Sequence, residues 1–256
     1  MSVSKLISIA ILLRSLKLPT ILREHKAIAK TAEQEEWSYV KFLHALCEIE
    51  VMERSSRRIA NNLKRSNLPD GKTMETFDMS LMPVKIKRQV SMLLDGGFAD
   101  KAENILAFGL PGRGKSHLLC GIARELIIHK NKKVLYITTF SLVQKLLIAK
   151  RDLTIETYLK KLDKFDVILM DDIGYVQQSR EEMEILFTFL SERYERRSLM
   201  ITSNLVFNEW DKIFKDPMTT SAAVDRLVHH SVILELNAIK SYRAKQAAKN
   251  QKSIQH

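Results

Sequence analysis

Apolar residues recur along this 256-residue chain in two rhythms, and the change between them falls near residue 67. In YVKFLHALCEIEVMERSSRRIANNLKR, from Tyr39 to Arg65, the apolar positions Phe42, Leu46, Ile49 and Met52 follow at three- and four-residue steps. That is the spacing of one helix face. Ser38 stands before the run, where its hydroxyl would cap the first turn. A preceding helix is expected from LPTILREHKAIAKTAEQEE, whose Pro19 falls at a helix start, where a missing N–H costs little. Ser4 to Leu16 reads as a shorter amphipathic helix. With no glycine and no convincing strand before Asn67, residues 1–67 are predicted to form an all-α module that docks a partner or DNA.

SNLPDGKT, from Ser66 to Thr73, gathers Pro, Asp and Gly and is read as the linker. Beyond it, apolar segments alternate between short strands and longer helices. The strands are expected at Asn104–Phe108, Lys133–Thr138, Phe165–Met170, Ser198–Ser203 and Ser231–Leu236. Alternation of this kind predicts a parallel sheet with helices on both faces, over residues 68–236. From residue 237 the tail carries Lys240, Arg243, Lys245, Lys249 and Lys252 with no acid, and reads as a frayed basic helix or as disordered.

Charge alters the picture more than composition does. The formal excess is +11 with a pI near 9.6, which favours a polyanionic partner, nucleic acid, over a small acidic metabolite. Cys47 and Cys120 lie far apart in helical segments and read as small core residues of a reducing compartment. LISIAILL, Leu6 to Leu13, is too short to span a bilayer, and RSLKLPT after it supplies no signal-peptide cleavage site. The expectation is a cytoplasmic protein. The histidines, including His229 and His230, show no metal-ligand spacing with cysteines or acids, which argues against zinc. Met79, Met82 and Met92 read as packing, and Trp37 and Trp210 as core or docking anchors.

The sharpest chemistry is GLPGRGKS, Gly109 to Ser116, placed between a strand and a helix beginning at Ser116. Glycines let the backbone N–H groups close around a phosphate, and the helix N-terminus points its partial positive charge at the same anion. Pro111, Gly112, Arg113, Gly114 and His117 complete the loop and first turn. Lys115 would reach the β- and γ-phosphates, and Ser116 would ligate Mg²⁺. The strand in FDVILMDDIG ends on two carboxylates. Asp171 would hold the metal, while Asp172, pointing another way, would orient the attacking water. Asn204, at the tip of SLMITSN, could help hold that water. A GTPase spelling is also satisfied by Asp171 to Gly174, but no guanine-reading Asn-Lys-x-Asp follows. A small-metabolite kinase leaves the paired aspartates and the net charge unexplained.

The order GLPGRGKS, VILMDD, MITSN, AAVDRLVHH resembles the AAA+ ATPases, within them the branch holding the DnaC helicase loader and the IstB transposition helper. LKLPTI, EEWSYVKFLHALCEIEVMERSSRRI and the Phe77–Ser80 linker are most similar to the IstB-like proteins, over nearly the whole chain. This resemblance implies a five-stranded AAA+ core, ATP with Mg²⁺, and head-to-tail self-assembly on duplex DNA beside a DDE transposase of the IstA type. It implies that Arg226, in VDRL, completes a neighbour's site, with Arg193 and Arg197 as competitors. The chain leaves no room for a full helical lid after Leu236, so adenine contacts are sought elsewhere, with Phe77 a candidate that would equally suit the core. Initiator-like members insert a DNA-gripping helix between the second and third strands. Phe140 to Phe165 would supply it, with Lys145, Lys150, Arg151, Lys160 and Lys161, joined by Arg57, Arg58, Lys64 and Arg65. Three functions share these residues: a DNA-stimulated ATPase assisting a transposase, a helicase loader, and an ATP-switched DNA-binding structural protein.

Overall fold

The computed structural model describes residues 8–174, 179–206, 209–210, 213 and 217–237. It divides into two compact units, Met1–Asn61 and Asn62–His256.

The first unit holds α1 (Ile9–Ser15), α2 (Pro19–Gln34) and most of α3 (Tyr39–Ser66). Pro19 opens α2 as expected, and the Ser38 hydroxyl accepts the Lys41 amide at 3.2 Å. Leu13, Ile21 and Leu46 are buried together, with Leu22, Phe42 and Ile49 packed around them. Met52, expected on this stripe, is exposed. The buried face continues from Leu46 to Glu50, one helical turn on, and Met52 lies off it. Cys47 is also exposed, because the residue after a buried helical position turns away from it. In α1 only Leu13 is buried and Ile9, Ile11 and Leu12 face solvent, so the segment is less amphipathic than its pattern predicts. The predicted start of that helix at Ser4 lies outside the described residues. Trp37 sits at the surface, under Lys41 and donating to Glu35.

The second unit begins inside α3, whose Leu63 packs with its core. A 3₁₀ turn (Met79–Leu81), α4 (Val84–Leu94) and α5 (Gly97–Asp100) lead into β1 (Asn104–Phe108). Then follow α6 (Lys115–Lys130), β2 (Val134–Thr138), α7 (Thr139–Arg151), α8 (Ile155–Leu162), β3 (Val167–Asp171) and α9 (Arg180–Arg193). The described elements end with β4 (Ser198–Ser203), α10 (Pro217–Val228) and β5 (Ser231–Glu235). All four pairings are parallel, in the order β2-β3-β4-β1-β5. The single helix expected over Phe140–Phe165 is two, broken where Leu153 takes φ +54°.

Strand alternation builds the two sides of the core. Ile105, Ala107, Val167 and Leu169 face α4 and α6, while Leu106, Phe108, Ile168 and Met170 face α7, α9 and α10. Trp210 is fully buried on the second side, against Phe108. Met82 is buried as expected, whereas Met92 is exposed because it lies off the Ile86–Val90–Leu93 face of α4. The basic tail and the region assigned to a missing lid lie, from Ala238 onward, outside the described residues.

Candidate functional site

The C-terminal ends of β1, β3 and β4 meet at one edge of the sheet, the place where parallel α/β sheets bind ligands. Gly109–Gly114 links β1 to α6 with Gly112 at φ +79° and Gly114 at φ +87°, conformations that side chains disfavour. A Cβ on Gly114 would also lie 3.0 Å from the Phe77 ring. The loop edges a cavity of about 390 Å³. Pro111, Gly112, Arg113, Gly114, Lys115, Ser116 and His117 line it, facing Asp171, Asp172, Thr202 and Asn204. Gly109 lies behind the loop, where an added Cβ would meet Leu236, and offers its carbonyl to Lys115.

Two hydrogen-bonded chains organise the polar floor. In the first, Lys115 Nζ donates to Asn204 Oδ1 at 2.6 Å, and Asn204 Nδ2 donates to Asp172 Oδ1 at 2.9 Å. The amide of Asn204 therefore ties the loop lysine to the second aspartate. In the other, Asp171 collects three hydroxyls: Ser116 and Thr202 reach Oδ1, each at 2.6 Å, and Tyr136 reaches Oδ2 at 2.8 Å. Asp172 takes φ +62°, unusual for a non-glycine residue, and its amide donates to Thr202 Oγ1 at 2.8 Å. Burial, then the neighbouring charge of Asp171, raises the Asp172 carboxyl above its ordinary range, with Lys115 opposing. Burial and the bond to Asp171 push the Tyr136 phenol up, so it stays a donor at neutral pH.

Donor chemistry fits a triphosphate with a hard cation. Ser116 and Asp171 are oxygen donors of the kind Mg²⁺ takes, and Lys115 with the loop amides supplies the complementary charge for phosphate. The linker closes the opposite wall with Lys72, Thr76, Phe77, Leu81 and Met82. Phe77 belongs to the core cluster and also lines the cavity, in edge contact with His117. His117 Nε2 bonds Thr76 Oγ1 at 2.9 Å and the Thr73 carbonyl at 3.1 Å, latching the linker to the first turn of α6.

Arg226 lies away from this cavity on α10, its guanidinium 4.7 Å from the centroid of the Phe187 ring and in no ion pair among the described residues. Its competitors are otherwise engaged. Arg193 is buried and donates to the carbonyls of Leu162, Phe165 and Ser198, and burial lowers its guanidinium to about 10. Arg197 pairs with Asp166 at 3.0 Å.

The basic residues divide the same way. Lys150 pairs with Glu181, Arg151 with Asp152, Lys160 with Glu156 and Arg57 with Glu53. Arg58 and Lys64 are exposed. Arg65, Lys145 and Lys161 line a groove of about 940 Å³ along β2, with Lys133 and Lys164, which the sequence reading missed; among the described residues no carboxylate lines it. The fold also gathers Glu195, His229 and His230, all exposed, with ligand atoms within 4.8 Å of one another, a proximity invisible in the linear spacing. Cys120 is buried and inert, its thiol pushed up to about 12 by burial. Tyr136 and Thr202 were the functional candidates missed.

Residues 11–250 match the family described as IstB-like ATP binding protein. An insertion-sequence ATP-binding protein of Sinorhizobium fredii is 45% identical over 93% of this chain and 80% of its own length. One from Geobacillus stearothermophilus is 36% identical, over 90% and 91% respectively. Among solved structures, the DnaC helicase loader aligns with a TM-score of 0.57 at 17% identity, covering 67% of this chain and 98% of its own. AMPPCP-bound DnaA from Aquifex aeolicus gives 0.53 at 18% identity, covering 73% and 56%. These structural likenesses establish an AAA+ fold. No described helix is long and apolar enough to cross a membrane.

Proposed function

Since the chain belongs to the IstB-like ATP-binding proteins of insertion sequences, we propose that it is a Mg²⁺-dependent, DNA-stimulated ATPase that assembles on duplex DNA and assists a transposase. The observation that carries this reading is the joined set Lys115–Asn204–Asp172 and Ser116–Asp171 inside the loop cavity. Lys115 and the loop amides bind and orient the triphosphate. Ser116 and Asp171 would hold Mg²⁺, which would supply neutralisation of charge on the phosphates. Asp172, with Asn204 against it, orients a water and accepts its proton; the raised carboxyl suits a base. Arg226, on α10 and outside this cavity, is assigned to the neighbouring subunit's site, which makes ATP the joint between copies in a head-to-tail assembly. The cationic groove on β2 follows DNA phosphates, positioning the protein without reading bases. The partner is a DDE transposase of the IstA type, and the product of their cooperation is target selection and strand transfer.

A helicase loader would share the ATPase core. Similarity to insertion-sequence proteins over both units of the chain favours transposition. The test is sedimentation with ATP and duplex DNA, each alone and together. Assembly requiring both, and abolished by Lys115→Ala, is expected. A chain that stays monomeric under every combination refutes the reading.

A further inference from the structure

Thr202 is 1% exposed near the C-terminal end of β4, in register with Ala107 of β1. Its Oγ1 accepts the Asp172 amide at 2.8 Å and donates to Asp171 Oδ1 at 2.6 Å. A hydroxyl carries one proton, so this side chain spends its donor on one aspartate while its lone pair holds the backbone of the next. That backbone is left-handed although the residue is not a glycine, and the turn it makes carries the Asp172 carboxylate away from Asp171 toward Asn204. One side chain thereby separates two adjacent carboxylates into two tasks.

Tyr136 completes the arrangement from the other side. Its hydroxyl holds Asp171 Oδ2, while Ser116 and Thr202 share Oδ1. Of the three donors, Ser116 is the one whose oxygen the proposed cation would take. Thr202 and Tyr136 then remain, one on each carboxylate oxygen, and fix the plane in which Asp171 meets the ion. We propose that Thr202 and Tyr136 are positioning residues of the nucleotide site, Thr202 setting both aspartates and Tyr136 setting Asp171 alone. The inference rests on the Mg²⁺–ATP reading above.

The experiment measures binding of a fluorescent, non-hydrolysable ATP analogue to the full chain, in EDTA and across a Mg²⁺ titration. For Tyr136→Phe and Thr202→Val, half-saturating Mg²⁺ is expected to rise by about 10- to 100-fold, the usual cost of losing an outer partner of a metal ligand, with affinity in EDTA unchanged. Thr202→Ser keeps the hydroxyl and is expected to restore the wild-type titration. Single-turnover hydrolysis at saturating Mg²⁺ separates the two roles: the rate falls in Thr202→Val and stays near wild type in Tyr136→Phe. Wild-type Mg²⁺ titrations in Tyr136→Phe and Thr202→Val, or a Thr202→Ser as impaired as Thr202→Val, overturn the proposal. Should Thr202→Val not fold, Tyr136→Phe decides alone, an unchanged titration counting against it. A wild-type chain whose analogue binding ignores Mg²⁺ refutes the parent reading, a result separable from failure of the variants.

Discussion

Replacing Glu50 by alanine should unfold the N-terminal helices while leaving the nucleotide unit folded. Glu50 is 3% exposed and accepts the amides of Thr20 and Ile21 at 2.8 and 3.0 Å, two of the donors that α2 cannot satisfy at its start. Its other oxygen takes Arg54 Nε at 2.7 Å, and Arg54 also donates to the Lys17 carbonyl. Alanine strands two amides, each costing about 1–3 kcal/mol when buried. It also removes one partner of Arg54, whose side chain is half exposed and keeps the Lys17 carbonyl, so that loss adds little. The two stranded amides together set an expected loss of about 2–6 kcal/mol. Among the described residues of this unit only Leu13, Ile21 and Leu46 are buried apolar residues, so little remains to offset that loss. Hydrogen exchange of the α2 and α3 amides is the assay, with the α6 amides as internal control. Acid should mimic the variant. Burial alone would raise the Glu50 carboxyl, but the bonds from Arg54, Ile21 and Thr20 outweigh it and hold the group below its usual 4.5. A depressed carboxyl contributes stability that is complete above that value and lost as pH falls through the folded one. An α2 whose protection drops by less than about 1 kcal/mol in Glu50→Ala would refute the reasoning, since one lost net hydrogen bond already accounts for that much.

Four further outcomes follow from the second unit. Gly114→Ala must hold φ +87° with a Cβ against Phe77, and a left-handed alanine costs about 1–2 kcal/mol, so ATP affinity measured by calorimetry should fall about 5- to 30-fold. Hydrolysis should weaken on the acid side at a pH above that of an ordinary aspartate, because the raised Asp172 carboxyl is protonated sooner as pH falls; an acid limb at the ordinary value would remove Asp172 as the base. For duplex DNA, Lys145→Ala/Lys161→Ala should flatten the log–log salt slope by about 0.9 per lost contact, whereas Lys150→Ala/Arg151→Ala, whose cations already pair with Glu181 and Asp152, should change it little. Mixing Lys115→Ala subunits with Arg226→Ala subunits should recover hydrolysis that neither has alone; no recovery would place Arg226 outside the shared site.

What could be read from the chain was what is local. The glycine-rich loop, the aspartate pair and the five strands depend on neighbours within a few residues, and their spelling survives in the linear order. Tyr136 and Thr202 did not show, because an aromatic and a β-branched residue inside strands are what any buried strand contains. Only the pairing of Thr138 with Asp171 and of Met170 with Ile201 brings them to the aspartates. Glu50 was hidden for the opposite reason: an acid on a charged helix looks solvated until α2 lays two bare amides over it. The cations of Phe140–Phe165 were equally uniform on paper, and pairing across α7 and α9 then distinguished Lys150 from Lys145.

The strand order carries a consequence for synthesis. β4 lies between β1 and β3, yet it is made after both. A ribosome that has released the chain only as far as Arg197 has produced Ser116 and Asp171 with the piece that unites them still missing. Until Ser198–Ser203 slot into that gap, β1 stands apart from the β2–β3 pair and the cavity lacks Thr202 and Asn204. Capture of ATP is therefore expected only once β4 has been made, and such contacts between distant segments are the slow ones to form.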